Sequence, residues 1–384
     1  MAATKQRKKV VTKTSTKPEA PERAETSERL SELVLSEDLG NVMLAFKMMA
    51  GQTRAPVGVF EALLVVMHDV DAPKKAREGA KSLFADQAPR SLKEAVASVL
   101  EKTTLFRGNE DKRRERIAAL AEQSGGVLDA LRLARALFTR KLGWTFLLDH
   151  AHATNDAELV HFVVEGLRED QTLDLSGGGL TDLPDAFANE TDIETLELGS
   201  SMGSRNRLRK IPKGLLALTS IVSLDLSDNA VAEFPPRVTT WPRLETLDLK
   251  GHGFSEVPEG LASLTSLRVL RLGASVETVG MNEKQAAERS RRRALSLSPS
   301  LAQLVNLEEL ELGWLTFPDL PGWMAAMKLE VLDLQHAWFD QAPMVLAKMP
   351  ALKRVRSFGM RVDDKAGWAA LRATLEKKGV KLGV

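Results

Sequence analysis

The chain contains no cysteine. That absence removes disulfides, thiolate metal sites and cysteine nucleophiles together, and it fits a reducing cytoplasm. Tyrosine is absent too, and aromatic residues make up only 5% of the 384 positions, so platforms on which nucleic-acid bases could stack are few. No apolar run reaches the roughly 18 residues that a membrane helix needs. The opening residues, MAATKQRKKVVTKTSTK, lack the apolar core of a secretory signal. A cytoplasmic protein without a membrane span is therefore expected. Net charge is almost missing as well, since 53 basic residues against 52 acidic ones leave +1. Any electrostatic preference must come from the arrangement of charges. Missing too are the GxxxxGK[ST] phosphate loop, the GxSxG nucleophile elbow and the HExxH zinc motif, so no cofactor and no standard hydrolase are implied.

What is present is ordinary for a folded chain, with 43% hydrophobic and 27% charged residues. The length exceeds one usual core, which predicts two domains or an elongated repeat array. Residues 1–30 are rich in Lys, Thr, Ser, Pro and Glu and poor in large apolar side chains. Such a segment cannot bury enough surface to offset chain entropy and reads as a disordered basic arm. Weak nucleic-acid binding through it is one alternative function, and a solvated tail is the plainer reading.

From residue 31 to 168 the apolar spacing is helical and predicts an all-α domain. In SEDLGNVMLAFKMMAG, Ser36 stands where a cap belongs, Leu39, Val42, Met43, Phe46 and Met49 share one face, and Gly51 ends the run. VGVFEALLVVMHDV, APKKAREGAKSLFADQ, PRSLKEAVASVLEK, DKRRERIAALAEQ, VLDALRLARALFTRKLGWTFLLDHA and NDAELVHFVVEGL follow as further helical segments. His150, His152 and His161 invite a metal reading, but their spacing fits no defined site and no carboxylate set completes it. Dispersed catalytic carboxylates escape motif reading, so an enzyme with its site in this helical half stands as a further alternative.

The second half is ordered differently. In SLDLSDNAVAEFPP, Ile221, Leu224, Leu226, Asn229 and Val231 spell L-x-x-L-x-L-x-x-N-x-L. The next copies start at Leu244 and Leu267, an interval of 23 residues each time. Earlier copies run Asp170, Leu173, Leu175, Gly178, Leu180 and Ile193, Leu196, Leu198, Asn206, Leu208. Later ones run Leu307, Leu310, Leu312, Leu315, Phe317 and Leu329, Leu332, Leu334, Ala337, Phe339, before a degenerate strand at Leu352 and Val355. Prolines give an independent check. Pro184, Pro212, Pro235, Pro258, Pro321 and Pro343 each lie four residues past the last apolar position of their copy, and Pro299 places a further member at Leu295. One such unit cannot bury its leucines alone. Stacked units align short strands into a parallel sheet around a shared apolar column, with proline on the convex side.

Residues 169–358 thus resemble the leucine-rich repeat family, and the 23-residue period with Leu-Pro looks like its intracellular Ras-associated subgroup and bacterial relatives. The resemblance implies an α/β solenoid of about eight coils behind the all-α domain. It also suggests regulation of a phosphatase or small GTPase. The cysteine-dependent ubiquitin ligase chemistry of some bacterial repeat proteins is excluded here. In that family an Asn links successive coils. Asn206 and Asn229 keep it, while Gly178, His252, Leu315 and Ala337 depart from it. Residues 359–384 read as a C-terminal cap, with Trp368, Leu371 and Leu375 at helical spacing.

Between the last two strand leucines stand Asp174, Glu197, Asp225, Asp248, Arg271, Glu311, Asp333 and Arg356. With the leucines inward these face the concave side, a track of roughly 34 Å at about 4.8 Å per strand. The expected function is a non-catalytic scaffold or adaptor whose partner is another protein bearing a basic segment. Arg271 can instead pair with Asp248 and Glu311, and Arg268 with Glu245 and Glu308. Trp314, His336 and Trp338 occupy loop places usually given to small or polar residues, as partner contacts or as gap-fillers beneath the cap. Two insertions, residues 199–206 and 273–293, leave one edge after the strand. The longer carries Arg291, Arg292 and Arg293 as a candidate contact.

Overall fold

The computed structural model describes residues 21–52, 55–56, 58–68, 72–100, 110–126, 128–138, 143–200, 204–274 and 294–383. The arm up to residue 20, residues 201–203 of the first insertion and residues 275–293 of the second, with Arg291, Arg292 and Arg293, lie outside them. Two compact units emerge, one holding residues 1–101 and 119–136 and the other residues 102–118 and 137–384.

The first unit is helical. It contains α1 (Pro21–Val34), α2 (Leu39–Ala50), α3 (Val59–His68), α4 (Lys74–Gln87) and α5 (Arg90–Leu100). α6 (Glu110–Gln123) and α7 (Ala130–Phe138) follow, and the division between units falls within them. α3 is the centre of this unit. Its residues Val59 to Val66 are all buried, which explains an apolar run without a polar face. Phe60 meets Phe84 of α4 edge to face at 6.0 Å. Residues 21–30, expected within the arm, form the start of α1, because Ser27, Leu30 and Val34 recur at helical spacing and are buried. α2 also differs at its start. Asp38 is the cap and accepts from the Gly40 N–H at 2.6 Å, while the Ser36 hydroxyl accepts from the Asp38 N–H at 3.2 Å.

Glu61 is the one acid on α3 and is buried. It accepts from the Asp129 N–H at 3.0 Å, just before α7 begins, and lies 3.7 Å from Arg132. Burial pushes its carboxyl above the usual range, against the opposing pull of that N–H and of Arg132.

In the second unit α8 (Trp144–Thr154) and α9 (Ala157–Leu167) lead into the repeats. The stretch from Val127 to Ala151, expected as one helical segment, is therefore two helices, with Gly143 left-handed (φ 86°) just before α8. Asn155 closes α8 in the left-handed region, and Asp156 caps α9 through the Leu159 N–H at 3.0 Å.

Beyond α9 the chain winds into coils. The strands are β1 (Arg168–Glu169), β2 (Thr172–Asp174), β3 (Thr195–Glu197), β4 (Ser223–Asp225), β5 (Thr246–Asp248), β6 (Val269–Arg271) and β7 (Glu309–Glu311). β8 (Thr316–Phe317), β9 (Val331–Asp333), β10 (Trp338–Phe339), β11 (Arg354–Arg356), β12 (Arg361–Val362) and β13 (Lys381–Leu382) complete the set. α10 (Lys213–Leu216) lies in the second coil and α11 (Lys365–Lys377) precedes β13. Ten strands make one sheet in the order β1-β2-β3-β4-β5-β6-β7-β9-β11-β13, parallel except for β1 against β2. Residues Leu173, Leu196, Leu224, Leu247, Leu270, Leu310 and Leu332 stand in register and are fully buried. They form the expected column. Asp170 does not join it. It is exposed and left-handed (φ 54°), turning the chain from β1 into β2.

On the convex side Pro184, Pro212, Pro258, Pro321 and Pro343 each immediately precede a short helical turn, and Pro299 is the first residue of one. A Cβ on Gly260 would come within 1.8 Å of the Pro235 carbonyl oxygen, so the coils approach there as closely as backbone allows.

The buried turn after each strand needs hydrogen-bond partners, and three devices supply them. Asn206 accepts from the Leu180 N–H and donates to the Leu175 and Leu198 carbonyls, all at 2.9 Å. Asn229 repeats the pattern one coil on, with the Leu208 N–H and the Leu198 and Leu226 carbonyls. His252 accepts from the Phe254 N–H on Nδ1 at 3.0 Å, which leaves its Nε2–H facing the Leu272 carbonyl at 2.9 Å. At Leu315 and Ala337 a second parallel sheet, β8-β10-β12, takes over, with the Trp338 N–H on the Leu315 carbonyl and the Arg361 N–H on the Ala337 carbonyl. Gly178 has a separate reason: a Cβ there would lie 2.3 Å from the Trp144 indole of α8.

Three outcomes follow. Glu61→Gln keeps the acceptor for the Asp129 N–H and is expected to stay within about 1 kcal/mol of wild type near neutral pH, whereas Glu61→Ala costs about 1–3 kcal/mol in urea unfolding. Because the Glu61 pKa is raised in the folded state, the native chain binds this proton more tightly. Its contribution to stability should rise as pH falls through the folded pKa, a slope that the Gln variant lacks. Asn229→Ala, which orphans several buried backbone groups at once, is expected to cost at least about 2 kcal/mol by the same measurement.

Candidate functional site

Strand alternation places one row of side chains on the sheet face opposite the leucine column. The register aligns Asp174, Glu197, Asp225, Asp248, Arg271, Glu311, Asp333 and Arg356 across neighbouring strands. The row is in place, but its members differ. Asp174, Asp225, Asp248 and Asp333 each accept, through Oδ1, the N–H two residues on, at Ser176, Ser227, Lys250 and Gln335, at 2.7–2.9 Å. An aspartate there ends the strand by closing a local turn, which accounts for the repeated Leu-Asp-Leu spelling.

Charge divides the row in two. Asp248 lies 3.4 Å from Lys250 and 3.8 Å from Arg271, whose other side faces Glu311 at 3.6 Å. Arg356 reaches Glu309 at 2.7 Å and Asp333 at 3.3 Å. Asp248 and Asp333 are only 8% exposed, so an open acidic track through the fourth to eighth coils is not what forms. These acids are covered by cations of their own chain. Burial pushes the Asp248 and Glu311 carboxyls up; burial alone would lower the Lys250 ammonium, and Asp248 and Glu311 more than reverse that. Arg268 pairs with Glu308 at 2.9 Å and Glu245 at 3.9 Å, as expected.

Asp174, Glu197 and Asp225 have no cation within ion-pair distance among the described residues. Burial and then the flanking charges of Asp174 and Asp225 hold the Glu197 carboxyl above its usual range. The first three coils are therefore where negative charge is left open.

At the other end, Trp314 and His336 occupy the turn position after their strands and have φ of 61° and 56°. Gly177, Gly251 and Gly359 take the left-handed conformation at the corresponding place in other coils. A bulky residue there carries strain of about 1–3 kcal/mol. The two rings stack at 3.9 Å with planes 16° apart, and Phe358 meets His336 edge-on at 5.4 Å. Phe358 was not singled out by sequence reasoning, since its strand is degenerate. The signal available was a phenylalanine in the place filled by Gly313 and Gln335 in the preceding coils. Trp338 is not part of this stack; it belongs to β10, with the Arg361 guanidinium 5.5 Å from its ring centroid. His150 and His152 sit on α8 and His161 on α9, 3.3 Å from Glu190. Among the described residues no group of three or more His, Asp or Glu is placed to hold a metal. No helix among them is long and apolar enough to cross a membrane.

No family model matches the chain. Toll-like receptor 9 of Sus scrofa is 30% identical over 156 residues, 40% of this chain and 15% of the receptor. Leucine-rich repeat serine/threonine-protein kinase 1 of Mus musculus is 31% identical over 188 residues, 45% of this chain and 9% of the kinase. Transforming growth factor beta activator LRRC32 of Pongo abelii is 31% identical over 186 residues, 45% of this chain and 25% of that protein. The second half of this chain is a leucine-rich repeat array. The chain spans a quarter or less of the length of each of these relatives. Among solved structures, a leucine-rich repeat protein of Leptospira interrogans is 20% identical with a TM-score of 0.38, covering 53% of this chain and 52% of that one. A TDR receptor is 18% identical with a TM-score of 0.34, covering 54% and 38%.

The repeat array makes charge and turn geometry separable by mutation. Asp225→Asn keeps the Oδ1 acceptor for the Ser227 N–H and is expected to change stability by less than about 0.5 kcal/mol, whereas Asp225→Ala loses the turn bond at about 1 kcal/mol. Thermal melts of the two variants beside wild type check this.

Proposed function

We propose that this protein is a non-catalytic scaffold that binds a basic segment of another protein through the sheet face of its first three coils. Stacked repeats present an extended rigid surface, and this family uses such surfaces to bind other proteins. The observation that carries the reading is the division of the charged row. Asp174, Glu197 and Asp225 stand side by side in register without a cation of their own, while the acids of later coils are paired internally. Neighbouring like charges raise the free energy of the unbound face, and an incoming lysine or arginine relieves it. The part played by the helical unit is recruitment or support of the array. A cytoplasmic setting accords with a cysteine-free chain.

A fluorescein-labelled peptide alternating Lys and Arg with Ser tests this by anisotropy. The triple variant Asp174→Asn, Glu197→Gln, Asp225→Asn should bind it at least about tenfold more weakly, near 1.4 kcal/mol. Asp248→Asn, already paired in wild type, should bind as wild type does. Affinity should fall with added salt. It should also fall with acidification, beginning at higher pH than for an ordinary glutamate, because the bound cation needs Glu197 ionised and its free-state pKa is raised. Equal binding by the triple variant and wild type would overturn the proposal.

A further inference from the structure

The turns after β7, β9 and β11 share one left-handed backbone conformation, yet only the last is made with glycine. Glycine serves this turn with less strain, so the side chains of Trp314 and His336 do something the turn itself does not require. They are not needed to fill the interior behind them. Leu315, Phe317, Ala337, Phe339 and Val362 already do so and are buried. Instead the rings stack on each other, half-buried, at the rim of the sheet. The stack extends to Phe358, which is 65% exposed, the most exposed large apolar side chain among the described residues. A Cβ on Gly359 would fall 2.3 Å from His336 Nδ1, so the imidazole lies directly over that glycine and uses the space.

The open charge on the strands that lead to this turn is opposite to that of the first coils. Arg354 opens β11, four residues before Phe358 in the turn that follows, and Lys381 of β13 stands opposite Arg354 in register. Both are exposed, and neither has an ion-pair partner among the described residues, whereas Arg356 between Arg354 and Phe358 is taken up by Glu309 and Asp333. A large exposed ring on a rigid rim, with open cations about 13 Å back along the strand that leads to it, suits an extended segment that carries an apolar side chain and, several residues away, carboxylates.

We propose that Trp314, His336 and Phe358 form a second docking surface, for an extended acidic protein segment that packs one apolar side chain on Phe358 and directs its carboxylates to Arg354 and Lys381. It is independent of the acidic coils at the other end, and the two sites discriminate by charge.

Anisotropy with the full chain tests it using three fluorescein-labelled peptides: a Leu-Phe pair flanked by Asp and Glu, the same pair flanked by Lys and Arg, and an Asp/Glu peptide without apolar residues. The first should bind with a micromolar Kd and the other two should not be held at this site. Phe358→Ser, Arg354→Glu and the double variant Trp314→Gly, His336→Gly should each weaken the first peptide by about tenfold or more. Glu197→Lys should leave it unaffected, which separates failure here from failure at the acidic coils. The glycine double variant should melt at or above the wild-type temperature, because the turn strain is relieved. A lowered melting temperature with binding retained would show that the rings only brace the coils, and would sink the proposal. So would absence of binding by wild type, equal binding of the acidic peptide without apolar residues, or a self-association in sedimentation that Phe358→Ser abolishes.

Discussion

Every coil of a solenoid carries backbone N–H and C=O groups into a dry interior at the turn after its strand, and those groups must find partners in an adjacent coil. The rest of the array depends on how that demand is met. Leucine side chains supply the apolar driving force, but they are indifferent to register, since one buried aliphatic group packs much like another. The polar links decide which backbone group faces which. Asn206 and Asn229 do this with a side-chain amide that accepts from the preceding coil and donates both to that coil and to its own. His252 manages it with an imidazole, and the last coils dispense with side chains and join backbone to backbone. The substitutions of the repeat's asparagine at His252, Leu315 and Ala337 are thus each accompanied by another way of satisfying the same groups.

The same logic explains the charged face. An aspartate between two strand leucines is first a local device, closing the turn two residues on, and only then a charge. Whether that charge is available to a partner depends on neighbours one strand away. In coils where arginine or lysine stands alongside, the carboxylates are committed within the chain. In the first three coils they are not. The charge that such a face offers to solvent is set by what the row leaves unbalanced, and the count of acids is a poor guide to it.

Much of this was legible in the sequence because a parallel stack has a period. Leu224 and Leu247 could be assigned to a buried column, and Asp225 and Asp248 to one face, from spacing alone. The pairing of Arg271 with Asp248 and Glu311 could be anticipated because register makes side-chain neighbours of residues one repeat apart. What escaped was whatever required distances between repeats or breaks in the pattern. Asp170 fits the spacing yet turns a hairpin, because the first coil has no predecessor. Phe358 hid in the turn after a strand whose leucines had lapsed. The entry into α1 was masked by a composition typical of disordered tails, although three well-spaced residues sufficed to bury it. The role of Gly178 was invisible too, since its reason, the Trp144 indole, lies outside the repeat.

The change of linkage along the array also makes its mechanics uneven. Where an asparagine or histidine side chain links the coils, a bend must pull on that side chain, on single backbone bonds such as the Arg207 N–H to the Leu180 carbonyl and the Gly253 N–H to the Val231 carbonyl, and on the ten-stranded sheet. Where β8, β10 and β12 bind backbone to backbone, the same bend must break a ladder. Resistance to bending is thus spread over side chains and isolated backbone bonds in the early coils and gathered into a second ladder in the last ones.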